Sequence, residues 1–190
     1  MILVGGGGHC KSVIDVIEGT EHKILGIIDK PELVGETILG YPVIGTDSDI
    51  PTYVDKACFL ITVGQIKSCN IRRSLARIIE DAGGKFATII ANDAYVSKHA
   101  KVGEGTVILH KAFVNANAVI GCNCIINTMT NVEHDAVIGD FCHISTGTMV
   151  NGETKVGNNC FIGSGSVLYN CITIKDDSVI PAGTIVRKSI

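Results

Sequence analysis

The sequence predicts two units in series. A Rossmann-like α/β unit with a small parallel sheet spans 1–90, and a left-handed parallel β-helix spans 91–190. Two observations predict this. An aliphatic residue recurs every six positions from Val96, Val102, Ile108 and Val114 through to Val186. A small residue stands two places before each, from Ala94 and Ala100 through Cys124, Thr130 and Cys142 to Thr184, with one misfit at Ile172. A period of six is neither helical nor a simple strand alternation. It is the hexapeptide signature of a parallel β-helix, in which three short sides make one triangular coil and residues eighteen apart stack. The aliphatic fills the axis, and the small residue leaves room for it. The second observation is that the first 90 residues alternate short apolar runs with helical patterns, as in a parallel α/β sheet.

The front elements follow in order. Met1–Val4 reads as a buried strand that runs straight into Gly5-Gly6-Gly7-Gly8-His9, with a helix from about Ser12 to Glu18. Leu25–Ile28 reads as a second strand ending at Asp29, and Cys58–Val63 as a third, stopped by Gly64. Ile71, Leu75, Ile78 and Ile79 mark one face of a second helix, which Gly83-Gly84 ends. Phe86–Ile90 reads as a fourth strand, and the coils begin near Asn92.

The glycine run has two readings. After a buried strand, Gly5, Gly7 and Gly8 let the backbone approach a phosphate at a helix N-terminus; the alternative is a tight structural turn. The dinucleotide fingerprint fails, because Cys10 stands where its third glycine belongs. Asp29 at a strand end suits a ribose hydroxyl, or it simply opens a loop. Lys30 beside it and Gly64 after the third strand complete the candidate substrate-binding positions of this unit.

Composition narrows the function classes. A net charge of −3 gives no basic footprint for nucleic acid, and no cationic run suits an anionic membrane. There is no apolar run of spanning length and no signal-peptide pattern, so a cytoplasmic location is expected. Cys124, Cys142 and Cys160 lie eighteen apart and form one internal column, where small size accounts for them; reduced, buried, inert thiols are expected.

On an apolar tube, function sits on corners or between subunits. His134 lies in Val132-Glu133-His134-Asp135, near a corner, where the carboxylate can orient the imidazole and stabilise its charged form. A surface histidine is the alternative reading. His143 follows by nine residues, half a coil, so the two do not stack in one chain but could converge between neighbouring prisms. The spacings of His110, His134 and His143 do not reproduce the three-histidine zinc pattern of β-helix carbonic anhydrases, and no metal is expected.

The Gly-Gly-Gly-Gly-His run, Ile27-Ile28-Asp29, Gly40-Tyr41-Pro42-Val43-Ile44-Gly45, Ile71-Arg72-Arg73, Asn127 through Asp135, and Val137 through His143 together resemble the sugar O-/N-acetyltransferases of the sialic-acid and bacillosamine pathway type. The resemblance covers nearly the whole chain. It implies a front domain that binds a nucleotide sugar, acetyl-CoA as co-substrate along the β-helix, and a homotrimer with shared sites. It implies His134 as general base oriented by Asp135, His143 against the acetyl-CoA thioester, and Asn127 lining the acceptor pocket. Gly152 is implied to offer its N–H to the oxyanion, and His9 to line the sugar pocket. The expected activity is N-acetylation of a UDP-4-amino-sugar type of acceptor. O-acetylation of sialic acid and a non-catalytic nucleotide-sugar scaffold are the alternatives. The chain departs from the resemblance at Cys10 and in its last residues, where Arg187 and Lys188 either meet CoA phosphates or form a solvated end.

Overall fold

Ile2–Val4, three apolar residues at most 1% exposed, form β1 at the heart of the front sheet. The computed structural model describes residues 1–190 as two units: Met1–Gly64 with Asn70–Ile89, and Gln65–Cys69 with Ile90–Ile190. The front unit comprises β1, α1 (Gly8–Glu18), β2 (Gly26–Ile28), β3 (Thr37–Ile38), β4 (Tyr41–Gly45), β5 (Phe59–Ile61) and α2 (Asn70–Asp81). Its strand order is β3-β4-β2-β1-β5, parallel except for the β3–β4 hairpin at one edge.

Three sequence expectations for this unit need correction. The sheet is mixed, because Leu39 (φ 48°) and Gly40 (φ 87°) form a two-residue turn with both φ values positive, the geometry that closes a tight hairpin. Leucine in place of the usual Asn or Asp hid that turn. Phe86–Ile90 is also not one strand. Phe86 bridges to Phe59, whereas Ile89–Ile90 opens one side of the β-helix. The six-residue ruler in fact extends one step further back than Val96, to Thr88 and Ile90. α1 starts four residues before Ser12, because glycines carry no apolar periodicity to signal a helix.

Buried Arg72 on α2 donates from Nη1 to the carbonyls of Ile61 (3.1 Å) and Val63 (2.6 Å). A charged side chain 1% exposed is therefore the clamp on the end of β5.

The second unit is a left-handed β-helix of two-residue parallel strands in sheets of six, five and six. The register is eighteen throughout: Val114 pairs with Val132, Val132 with Val150 and Val150 with Leu168. Axial aliphatics form one continuous core, and Ile172, the misfit, joins it at 6% exposure. The small residues do more than make room. From Thr106 to Ser166, those with a hydroxyl or thiol donate to a carbonyl fifteen residues on: Thr106 to Gly121 (2.8 Å), Cys142 to Gly157 (2.9 Å), Ser166 to Pro181 (3.0 Å). Thiol and hydroxyl thus satisfy backbone acceptors that an apolar interior would otherwise strand. All eight cysteines are free, though Cys58 and Cys171 are exposed rather than buried.

At the corners one residue in six takes positive φ, including Asn117, Asn123, Asp135 and Asn159 beside Gly105, Gly147 and Gly165. Asn, Asp and Gly tolerate that conformation best. Asp135 is one of these turn residues, at φ 59°.

Candidate active site

The corner between the first and second sides of the β-helix stacks three tripeptides. Asn115-Ala116-Asn117 lies one coil before Glu133-His134-Asp135, and Asn151-Gly152-Glu153 one coil after it. His134 Nδ1 lies 2.8 Å from Asp135 Oδ2, so the ring donates to the carboxylate from Nδ1 and keeps its Nε2 lone pair. Asn117 donates to the other oxygen of Asp135 at 2.6 Å. Glu133 accepts from Asn115 (2.6 Å) and Asn131 (2.9 Å). The hydrogen bond to Asp135, with the neighbouring carboxylates, raises the His134 pKa above its ordinary value. Asparagine and histidine donors hold Asp135 below the usual carboxylate range, and the two asparagines do the same for Glu133. His134 is 55% exposed, open to a ligand or a neighbouring subunit.

Gly152 packs directly on that ring. A Cβ added there would lie 2.8 Å from both Cε1 and Nε2 of His134. At matching turns, Asn115 and Asn127 each accept the next residue's N–H at 2.7 Å. Asn151 instead donates its amide to the Leu168 carbonyl at 2.8 Å, and no protein acceptor takes the Gly152 N–H.

His143 lies on the third side of the prism, so a single chain does not bring it to His134. It is 8% exposed, with Phe161 edge-on at 5.3 Å between centroids. Its Nδ1 lies 2.6 Å from the Gln65 carbonyl, and its Nε2 lies 3.0 Å from Asn127 Nδ2. The structure therefore joins His143 and Asn127, which the sequence treated separately, and adds Gln65, which it did not single out.

The front-unit residues divide by their surroundings. A Cβ on Gly5 (φ 105°) would meet Val63 at 2.4 Å, so the fold itself demands that glycine. Gly7 and Gly8 face open space at the N-terminus of α1, and no side chain caps that end. The Gly6 N–H donates to Asp29 Oδ2, and the Lys30 N–H donates to Asp29 Oδ1 at 2.7 Å. Gly64 packs against His9, 3.5 Å between their Cβ positions. β2 and β5 flank β1 on opposite sides, which makes this the topological switch point where open α/β sheets bind ligands. A cleft of about 460 Å³ opens there, lined among others by Gly5, Asp29, Lys30, Asp47 and Val63. Burial and the nearby Asp29 push the Asp47 pKa up. Burial pushes the Cys10 thiol up to about 11, which leaves it protonated. Arg187 donates to the Tyr169 hydroxyl at 3.3 Å. His110 forms a second, exposed pair with Asp93 at 2.7 Å.

The signal missed at sequence level was the eighteen-residue offset applied to polar residues. It ties Asn115 to Glu133 and Asn117 to Asp135 as surely as it stacks the valines.

Coil and corner together define an acyltransferase. Residues 1–79 match the family model of the PglD N-terminal domain, and 153–188 match that of the bacterial transferase hexapeptide (six repeats). No curated protein matches the chain. Among solved structures, the acetyltransferase domain of PglB from Neisseria gonorrhoeae is 29% identical over 100% of this chain and 91% of its own, with a TM-score of 0.91. It has also been solved with acetyl coenzyme A. PerB from Caulobacter crescentus, in complex with CoA and GDP-perosamine, is 29% identical over 100% of this chain and 89% of its own, with a TM-score of 0.92. WeeI from Acinetobacter baumannii, at 19% identity over 97% of this chain and 94% of its own with a TM-score of 0.64, shares the fold. The chain therefore carries a PglD N-terminal domain and bacterial transferase hexapeptide repeats, and over its whole length it is similar to the acetyltransferase domain of PglB and to PerB. No helix is long and apolar enough to cross a membrane.

Proposed function

We propose that this protein transfers the acetyl group of acetyl-CoA to the amino group of a nucleotide-linked 4-amino sugar of the UDP type, with His134 as general base. The observation that carries this reading is the His134–Asp135 pair, backed by Asn117, with Nε2 beside Gly152. Nε2 takes the proton as the sugar nitrogen attacks the thioester carbonyl. The Gly152 N–H receives the oxyanion. Collapse of the tetrahedral intermediate expels the CoA thiolate, and His134 returns the proton to it. No covalent enzyme intermediate is required.

The front domain, 1–90, holds the nucleotide sugar. Gly7, Gly8 and the open end of α1 take its diphosphate. Asp29, Lys30 and the adjoining cleft take the nucleoside, while His9 and Gly64 serve the sugar. The transfer domain, 91–190, works as a homotrimer in the cytoplasm. Tyr95, Phe113, Met149 and Ile185 form an exposed apolar row on the first side, suited to burial against a second copy. Such packing lets His134 of one protomer meet the His143 side of its neighbour.

Mass spectrometry after incubation with acetyl-CoA and a panel of nucleotide-linked 4-amino sugars, sialic acid and CMP-sialic acid tests the reading. One added acetyl mass on an amino sugar is expected. Transfer to sialic acid would move the acceptor assignment to O-acetylation, and no transfer to any acceptor would favour a binding scaffold.

Asp135→Asn should move the acidic limb of the kcat/KM profile to lower pH. The sign follows from the raised His134 pKa: removing the carboxylate destabilises the imidazolium, so the ring loses its proton at lower pH. Turnover should fall as well, because an asparagine amide facing Nδ1 favours the wrong tautomer. An unmoved acidic limb would show that another group sets it.

A further inference from the structure

The five residues Gln65–Cys69 lie between β5 and α2 in sequence, yet they belong to the β-helix unit. Gln65 is 3% exposed, and its side-chain amide donates to the Cys160 carbonyl at 3.3 Å. This anchors a strap whose Gln65 carbonyl meets His143 Nδ1 at 2.6 Å. A carbonyl only accepts, so Nδ1 carries the proton. On the other side of the ring, the Asn127 amide has a defined orientation. Its Oδ1 accepts the Thr128 N–H at 2.7 Å, which turns Nδ2 toward His143 Nε2 at 3.0 Å. An NH₂ group only donates, so Nε2 is the bare nitrogen. His143 is thereby neutral, in the Nδ1–H tautomer, with both nitrogens occupied. Protonating Nε2 would set one N–H against another. In this state the ring has no N–H to offer a thioester oxygen and no lone pair with which to accept a substrate proton.

We infer that the strap carbonyl of Gln65 and the His143 ring are positioning residues that aim Asn127, and that the second N–H of the Asn127 amide is the donor presented to the acetyl carbonyl oxygen. This rests on the acetyl-transfer reading. It reassigns within that reading the thioester contact that the family resemblance gives to His143. The three groups form a directed chain: His143 Nδ1–H to the Gln65 carbonyl, then Asn127 Nδ2–H to His143 Nε2. The ring edge against Phe161 leaves little freedom for a flip.

The test compares three variants with the unaltered protein by steady-state kinetics, with ¹⁵N NMR of the imidazoles at pH 7.5. A glutamine side chain can set its carbonyl near the place of Nε2, so His143→Gln keeps an acceptor for Asn127 while abolishing imidazole chemistry. Expected are an Nδ1–H signature for His143, His143→Gln within about 5-fold of the unaltered kcat, and about 10²-fold losses of kcat in His143→Ala and Asn127→Ala. KM for the acceptor should stay within about 3-fold in all of them, since a donor used only in the transition state acts on kcat. An Nε2–H or doubly protonated ring, or a His143→Gln variant as impaired as His143→Ala, would overturn the inference. The NMR signature needs no turnover. Failure of the acetyl-transfer reading, seen as no product from the unaltered protein, is therefore distinguishable from failure of the tautomer assignment.

Discussion

His134→Ala should lower kcat by about 10²-fold or more while leaving the coil and its assembly intact. Both halves of this expectation follow from where the side chain stands. The ring is 55% exposed, and its hydrogen bond is to Asp135 next to it, so truncation opens no cavity in the axial core. Asp135 keeps Asn117 as a donor and is not left bare. The functional loss should therefore come without a fall in thermal midpoint or a change in sedimentation. CoA release followed with a thiol reagent, on protein of verified mass in sedimentation, measures it. Activity within a few-fold of the unaltered protein would remove His134 from the chemistry altogether.

Gly152→Ala is the more discriminating substitution, because it acts on His134 without touching it. The added methyl would sit 2.8 Å from Cε1 and Nε2, closer than any tolerable contact. Gly152 is buried in the coil, but the group it would strike is the far end of a half-exposed side chain. The imidazole can swing outward at little cost, so folding should be nearly unaffected. Its Nε2 is then displaced from the reacting nitrogen, and displacements of about 1 Å commonly cost 10²-fold. We expect a comparable loss of kcat with a thermal midpoint within about 2 °C, since a lost fraction of a kcal/mol moves it no further. Chemical-shift changes confined to His134 and its neighbours would accompany it. A fully active Gly152→Ala protein would mean that the ring does not work from its observed position.

The coil was legible in the sequence because its determinant is one-dimensional. An axis needs an aliphatic every six residues, and nothing in the core competes with that rule. The stacking of Gly152 on His134 was legible for the same reason, since eighteen residues separate them. The hairpin at Leu39-Gly40 was not, because a leucine with positive φ breaks the turn chemistry that announces a hairpin. Arg72 was visible as part of a motif, but nothing local says that a charged side chain folds inward onto the ends of β5. Gln65 was hidden more deeply. Its partners Cys160 and His143 lie 95 and 78 residues away, and its contact to His143 uses the backbone carbonyl, which any residue possesses.

The register of eighteen also limits how this chain can change length. Removing or adding a single six-residue side between Asn117 and Glu133 would preserve every axial aliphatic and every small residue, so the prism would still close. It would nonetheless carry Glu133, His134 and Asp135 around to a different edge from Asn115 and Asn117, with which they now pair. Foldability thus tolerates steps of six, whereas the polar corner tolerates only whole circuits. Length variants that survive selection for activity should differ here by complete circuits, and shorter or longer ones should be well-folded but inert.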